Sequence, residues 1–332
     1  MTTTPARILI TGASGVIGSR LLPVLAARHR ITALTRSRPV PGAHRSVPAD
    51  LTAPGLGLTP ADRDRLAGEI DLIVHCAGVS GFSLDNLELF EQINVRGTRH
   101  VLDLAMRADV PVVMLSSTSA AQHYLEPDPT SQALQAYADS KRRAEELAQR
   151  CPQPVAMIRT ALLLIGSAAE AADPRQQFPP VLLDSLLRGR VRRLPVSTEH
   201  WFDAIAVESL VEYTVAAIAA MSRAAESTAG VHWATAGTAR LTMGDVLDAC
   251  SANLDQRGKP LRIPEFTPTT EPGRGLGRLV QLGLFAPETQ PFPSTMGALP
   301  GGPERVRRAD LLPALAANVD LVAQGLFPAV PV

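Results

Sequence analysis

The feature that most constrains this chain is the run Arg7-Ile8-Leu9-Ile10-Thr11, which leads at once into Gly12-Ala13-Ser14-Gly15-Val16-Ile17-Gly18. An apolar-periodic stretch with Leu21, Leu22, Val24 and Leu25 follows. The order is strand, glycine turn, helix. Glycines spaced G-x-x-G-x-x-G at that junction supply permissive φ and let the backbone approach a pyrophosphate closely. The helix start adds unpaired N–H groups and a partial positive charge. A merely structural tight turn is the competing reading, and the position directly after the first strand favours the nucleotide. Gly12, Ser14, Gly15, Val16, Ile17 and Gly18 are therefore candidate cofactor contacts.

Further short apolar runs occur at 31–34, 71–76, 112–116 and 155–158, separated by segments long enough for crossover helices. Two such helices are expected at 84–108 and 137–150, the second after a turn-prone stretch at 126–131. The fold class expected is α/β, a Rossmann-type doubly wound parallel sheet with a smaller C-terminal substrate-binding lobe. Residues 174–180 read as loop, 181–187 and 207–220 as helices, and helices near 243–254 and 311–325 frame a stretch rich in Pro and Gly. The expected division is a cofactor domain over 1–165, to which 202–235 return, with 166–201 and 236–332 forming the lobe. We find no internal repeat.

The end of the second strand selects the dinucleotide, because an acidic residue there binds a free ribose 2′-hydroxyl whereas arginine accommodates a 2′-phosphate. The residues are Thr35, Arg36, Ser37 and Arg38, with no Asp or Glu. Arg36 can pair with phosphate and stack on adenine, so NADP(H) is the expected cofactor, with Ser37 beside it. The alternative is an exposed arginine face. Asp50-Leu51, ending the third strand, would meet the adenine, and Cys76-Ala77-Gly78, ending the fourth, would line the cofactor with small side chains. His75 and Cys76 otherwise read as a buried pair at a strand end.

Tyr137 and Lys141 stand four residues apart, which puts both on one helix face. An ammonium near a phenol favours phenolate and lowers its pKa from about 10 toward the working pH. Tyr137 can then exchange a proton with substrate as hydride moves, and Lys141 can also hold the nicotinamide ribose. Tyrosine and lysine at this spacing also occur on ordinary solvated helices. Here Ser116-Ser117-Thr118 ends the preceding strand, and Ser117 is the candidate donor to the carbonyl oxygen. Asn94, in Asn94-Val95-Arg96-Gly97-Thr98, either supports the site through its amide or simply packs. Thr160, ending the next strand, is a further cofactor candidate. His123, Tyr124, His200 and Trp201 either border the substrate pocket or pack.

The 332 residues carry 32 Lys+Arg against 32 Asp+Glu, which argues against nucleic acid or an anionic membrane as an obligatory partner. Cys76, Cys151 and Cys250 lack C-x-x-C spacing, so neither a disulfide framework nor a thiolate metal site is expected. The strand beginning at Arg7 leaves no room for a signal peptide, and no apolar run reaches the roughly 18 residues of a spanning helix. A soluble, cytoplasmic protein is expected, as monomer or homodimer. No His/Asp/Glu cluster has metal-ligand spacing, and no G-x-S-x-G elbow suggests a hydrolase.

Over residues 7–220 the chain resembles the extended short-chain dehydrogenase/reductases. Asp50-Leu51 with Pro54-Gly55-Leu56-Gly57-Leu58, Asp71-Leu72-Ile73-Val74-His75-Cys76-Ala77, Tyr137-Ala138-Asp139-Ser140-Lys141 and Phe202-Asp203-Ala204-Ile205-Ala206-Val207-Glu208 look most like the thioester-reductase branch. That branch includes carboxylic acid reductases, fatty acyl-CoA reductases and terminal reductase domains of nonribosomal peptide synthetases. The resemblance implies Ser117, Tyr137 and Lys141 as the catalytic triad and Gly12, Gly15, Gly18 and Arg36 as cofactor contacts. It also implies hydride transfer to a thioester, small or bound to CoA or a carrier protein, through a hemithioacetal that collapses to an aldehyde. The chain departs from the branch in having Ser117 where threonine is common, a shorter segment after the second strand, and a shorter C-terminal lobe.

Overall fold

The computed structural model describes residues 5–80, 86–124, 128–165, 178–269 and 275–325. Its centre is a seven-stranded, wholly parallel sheet built from β1 (Arg7–Thr11), β2 (Arg30–Thr35), β3 (Arg45–Pro48), β4 (Leu72–His75), β5 (Val112–Ser117), β6 (Val155–Thr160) and the later strand Gly230–Ala234. The spatial order is Gly230–Ala234, β6, β5, β4, β1, β2, β3. Order reverses between β1 and β4, so a crevice opens beyond their carboxyl ends, where such sheets take ligands.

Successive residues of a strand point to opposite faces, so each strand feeds two core layers. Ile8, Ile10, Leu72 and Val74 join one buried cluster while Leu9 and Ile73 join the other. The registers Ile8↔Leu72 and Leu9↔Ile73 keep like-facing residues side by side.

The expected crossover helix at 84–108 is three pieces over its described part: Leu87–Leu89, a π-helical turn at Phe90–Gly97, and Thr98–Ala108; Leu84 lies outside the described residues. The second crossover helix runs over Pro129–Gln149, eight residues earlier than the sequence suggested. Asp128 caps it, accepting the Thr130 and Ser131 N–H groups, and Pro129 takes the first turn. The polar residues read as a turn thus start the helix; residues 125–127 lie outside the described part. Likewise 178–180, read as loop, begin the helix Phe178–Leu187, and 166–177 are not described.

Beyond β6, Gly230–Ala234 apart, the strands among the described residues pair in two-stranded ribbons, Leu162–Leu164 with Ala204–Ala206, Trp201–Phe202 with Leu241–Thr242, and Arg193–Leu194 with Glu265–Phe266. Helices Val207–Met221, Met243–Asp255 and Arg308–Ala323 fall close to expectation, whereas Gly275–Gly283 emerges from the Pro- and Gly-rich stretch unannounced. Among the described residues no helix is long and apolar enough to cross a membrane.

Candidate active site

The glycine turn is shaped by contacts that admit no side chain. Gly12 has φ +69°, and a Cβ there would lie 2.5 Å from the Ala77 nitrogen; at Gly18 it would lie 2.2 Å from the Gly12 carbonyl oxygen. Thr11 holds the two strand ends together: its Oγ1 accepts the Ala77 N–H at 3.2 Å and bonds His75 Nδ1 at 2.7 Å. His75 Nε2 bonds Thr98 Oγ1 at 3.1 Å, and burial lowers the imidazole to about 3, so it stays neutral.

A cavity of about 450 Å³ opens beside this turn. Of the sequence candidates, Gly12, Gly15, Val16, Ile17, Gly18, Cys76, Gly78, Ser117, Tyr137, Lys141 and Thr160 line it. Ser117 and Thr160 are register partners at the carboxyl ends of β5 and β6. Tyr137 and Lys141 project from the helix Pro129–Gln149, with the Lys141 Nζ 5.9 Å from the Tyr137 ring centroid. Ser117 opposes the burial of the Tyr137 phenol, and Ser117 Oγ accepts the Ser119 N–H at 3.2 Å. Three chemically distinct groups, a hydroxyl, a phenol and an ammonium, thus meet beside the glycine turn.

Electrostatics depart from the sequence expectation in one respect. Burial pushes the Tyr137 phenol up, and the group that opposes this is Ser117, not Lys141. Burial also lowers Lys141 to about 8, against attraction from Glu145 and Cys76. The physical reason is that desolvation penalises both charged forms.

Apart from Tyr124, the other candidates lie outside the wall of this cavity. Asn94, in the π-helical turn, accepts the Val79 N–H through Oδ1 at 2.8 Å and donates through Nδ2 to Val79 O at 2.9 Å and Ser140 Oγ at 3.0 Å. It therefore clamps the loop after β4 to the Tyr137 helix. Ala77 is held through its backbone, and Ser14 is exposed at the turn. Arg36 and Ser37 are exposed beyond β2. Asp50 binds Thr52 through its Oδ1, at 2.9 Å to the N–H and 2.7 Å to the hydroxyl, and these bonds together with Arg36 hold its carboxyl low. Leu51 O accepts from His100 Nδ1 at 2.9 Å. Tyr124 lines the cavity. His123 is exposed, Trp201 packs on Phe285 at 4.6 Å, and His200 Nδ1 bonds Ser197 Oγ at 2.9 Å.

Sequence reasoning missed several residues. Asp203 lines the cavity at 3% exposure, accepts the Ala236 and Gly237 N–H groups at 2.7 and 3.2 Å, and is raised by burial to about 6. Phe285 and Phe292, 5.5 Å apart and edge to face, supply an aromatic wall. Arg278, 5% exposed, donates to Asp128 Oδ2 through Nε at 2.9 Å and Nη2 at 2.7 Å, tying the Gly275–Gly283 helix to the Tyr137 helix. Two carried a signal: Asp203, within the run Phe202–Glu208, and Glu145, one helical turn beyond Lys141.

Comparison with known proteins fits this geometry. The model of the NAD dependent epimerase/dehydratase family matches residues 8–233. A hybrid PKS-NRPs synthetase, opdA, of Penicillium oxalicum is 26% identical over 239 residues, 64% of this chain and 6% of that protein; the chain spans only a small fraction of the length of the curated relatives it matches. Among solved structures, the terminal R domain of the myxalamid PKS-NRPS pathway superposes with TM-score 0.70 at 21% identity, covering 100% of this chain and 94% of its own. The Bordetella bronchiseptica enzyme WbmG, in complex with NAD, gives TM-score 0.64 at 19% identity over 97% and 96%. With its matched segment running from β1 into the last strand of the sheet, the chain belongs to the NAD dependent epimerase/dehydratase family, the extended short-chain dehydrogenase/reductases.

Proposed function

We propose that the chain is an NADPH-dependent reductase that acts on the carbonyl or acyl thioester of a small biosynthetic intermediate, with Tyr137 as proton donor. The observation that carries this reading is the convergence of Ser117, Tyr137 and Lys141 on the cavity walled by Gly12, Gly15 and Gly18. The turn suits a dinucleotide: a Cβ at Gly12 or Gly18 would meet the chain's own backbone, so glycine lets the turn pack this tightly while it lines the cavity that would take the pyrophosphate. Gly12 to Gly18 would hold the pyrophosphate, Arg36 and Ser37 the 2′-phosphate, and Asp50, Leu51, Cys76, Ala77 and Gly78 the adenosine and ribose side. Thr160 and Lys141 would hold the nicotinamide end. When bound, the reduced nicotinamide supplies hydride.

Ser117 Oγ donates to the substrate carbonyl oxygen, where charge develops, and Tyr137 delivers the proton to it. Lys141 stabilises the phenolate that this leaves. Asn94 keeps the Val79 loop closed on the Tyr137 helix. With a thioester, the resulting hemithioacetal breaks its C–S bond and releases thiol and aldehyde. The PKS-NRPS names of the relatives support a thioester, delivered by CoA or a carrier protein, over a free ketone.

The family description and the NAD complexes among the fold neighbours favour a second reading, a nucleotide-sugar epimerase or dehydratase that retains NAD. Arg36 where an acid would bind ribose, and Thr118-Ser119 where dehydratases carry Asp-Glu, count against it. A screen of NADPH oxidation separates the readings. We expect turnover with acyl-pantetheine or acyl-CoA thioesters or with aldehydes, and none with UDP-sugars. Redox-neutral conversion of a UDP-sugar with bound NAD would replace this proposal by the second reading.

A further inference from the structure

Tyr137, Lys141 and Glu145 follow one another at four-residue steps along the helix Pro129–Gln149, so the three share a face. Glu145 is 2% exposed. Ser116 Oγ donates to its Oε1 at 2.6 Å, and Arg159 donates through Nε to Oε1 at 2.9 Å and through Nη2 to Oε2 at 2.6 Å. Ser116 and Arg159 are register partners on β5 and β6, so two neighbouring strands grip one residue of the helix. Arg159 also lies over the Trp233 indole, 4.7 Å from the ring centroid. Packing alone does not call for this arrangement, because apolar residues of similar volume often replace a buried ion pair without loss of stability.

The surroundings of Lys141 show what the carboxylate does. His75 and Cys76, at the end of β4, both feel the charge of Lys141. Burial keeps His75 neutral at about 3 and holds Cys76 as a thiol at about 12. Gly78 lies so close that a Cβ would be 3.1 Å from Nζ and 3.3 Å from Asn94 Oδ1. Tyr137 is a phenol, raised by burial. Among these groups Glu145 is the anion, and it opposes the desolvation that lowers Lys141 to about 8. Arg159, the cation behind it, is taken up by Glu145 and the Trp233 ring.

We propose that Glu145 is a positioning residue for the Tyr137–Lys141 pair: clamped between Ser116 and Arg159, its carboxylate keeps Lys141 in the ammonium form beside Tyr137. Its consequence for turnover rests on the reductase reading, but its effect on Lys141 does not. Glu145 touches neither substrate nor cofactor in this scheme; it acts through the lysine.

The composition allows a direct measurement. Lys141 and Lys259 are the only lysines of the chain, and Lys259 is exposed. In full-length Lys259→Arg protein labelled with ¹³C-lysine, the single ε-methylene signal reports the Lys141 titration without substrate or turnover. We expect a midpoint near 8, and about one pH unit lower once Glu145→Gln/Arg159→Met is added. The double change strands no buried charge, so the fold is kept. Glu145→Gln alone, which removes the carboxylate and keeps Arg159, is the second variant and moves the midpoint in the same direction. An unmoved midpoint in either folded variant overturns the proposal, whereas a protein that reduces no carbonyl overturns only the reductase reading.

Discussion

Around the glycine turn, position is dictated by backbone; in the C-terminal lobe it is dictated by side chains. The turn tolerates no Cβ at Gly12 or Gly18 because carbonyl and amide atoms already occupy that space. The lobe is instead pinned by pairs distant in sequence: Arg278 with Asp128, Asp203 with the Ala236 and Gly237 N–H groups, and Trp201 Nε1 with Ala286 O at 2.9 Å. A backbone-built site fails all at once, whereas a pinned lobe fails one pin at a time. Under the proposed reductase function, the backbone-built wall would take the dinucleotide and the pinned wall the substrate.

The largest expected effect breaks the backbone side. Gly18→Ala would drive a methyl into the Gly12 carbonyl, and we expect a loss of about 3 kcal/mol in stability, typical of forced overpacking, together with loss of measurable dinucleotide binding. Thermal unfolding and fluorescence titration would read both, and normal binding in Gly18→Ala would show that the turn is not the cradle.

The next effect sharpens the lobe side through an asymmetry. Asp128→Asn takes the carboxylate from the Arg278 guanidinium, whose side chain is 6% exposed and which keeps its bond to Ser131 Oγ, and should cost about 3 kcal/mol, as breaking a buried pair does. Arg278→Met removes the buried cation and leaves Asp128 partly exposed and still capping its helix, so about 1 kcal/mol is expected. Denaturant unfolding of both variants reads the difference; equal costs would mean that the pair does not pin the lobe. The sign of its pH dependence follows from Asp128, which Arg278 and Ser131 hold at about 2, below its usual 3.8. The tether is fully present above the unfolded value and is lost as pH falls through the folded one. The stability gap between wild type and Arg278→Met should therefore be constant down to about pH 4 and narrow below it.

A smaller effect belongs to the exposed rim of the cofactor site. Arg36→Asp should turn preference from NADPH to NADH by a factor on the order of ten to a hundred, the worth of one charged hydrogen bond. Unchanged preference in a fluorescence titration would move the phosphate contact to Arg38 or Arg45.

The same contrast explains what the sequence could disclose. Strand, glycine turn and helix are local, so the parallel sheet and the joining of Ser117, Tyr137 and Lys141 along successive β-α units were legible from spacing alone. The start of the Tyr137 helix was misplaced because Asp128 and Pro129 can break a helix or begin one, and only the cap geometry decides. Arg278 lies 150 residues from Asp128, and Phe285 and Phe292 lie in a Pro-rich stretch without periodicity, so no local pattern could bring them to the cavity. The direction of the Tyr137 shift was misjudged because spacing shows which charges are near but not how deeply both groups are buried.

In the proposed reaction Tyr137 hands a proton to a carbonyl beside the dinucleotide. Measuring Tyr137→Phe for NADPH affinity and, side by side, for turnover on whichever carbonyl or thioester the screen identifies tests it most directly. We expect affinity nearly unchanged and turnover down on the order of a thousandfold, the usual share of a proton donor. Turnover that survives in the folded variant would contradict it.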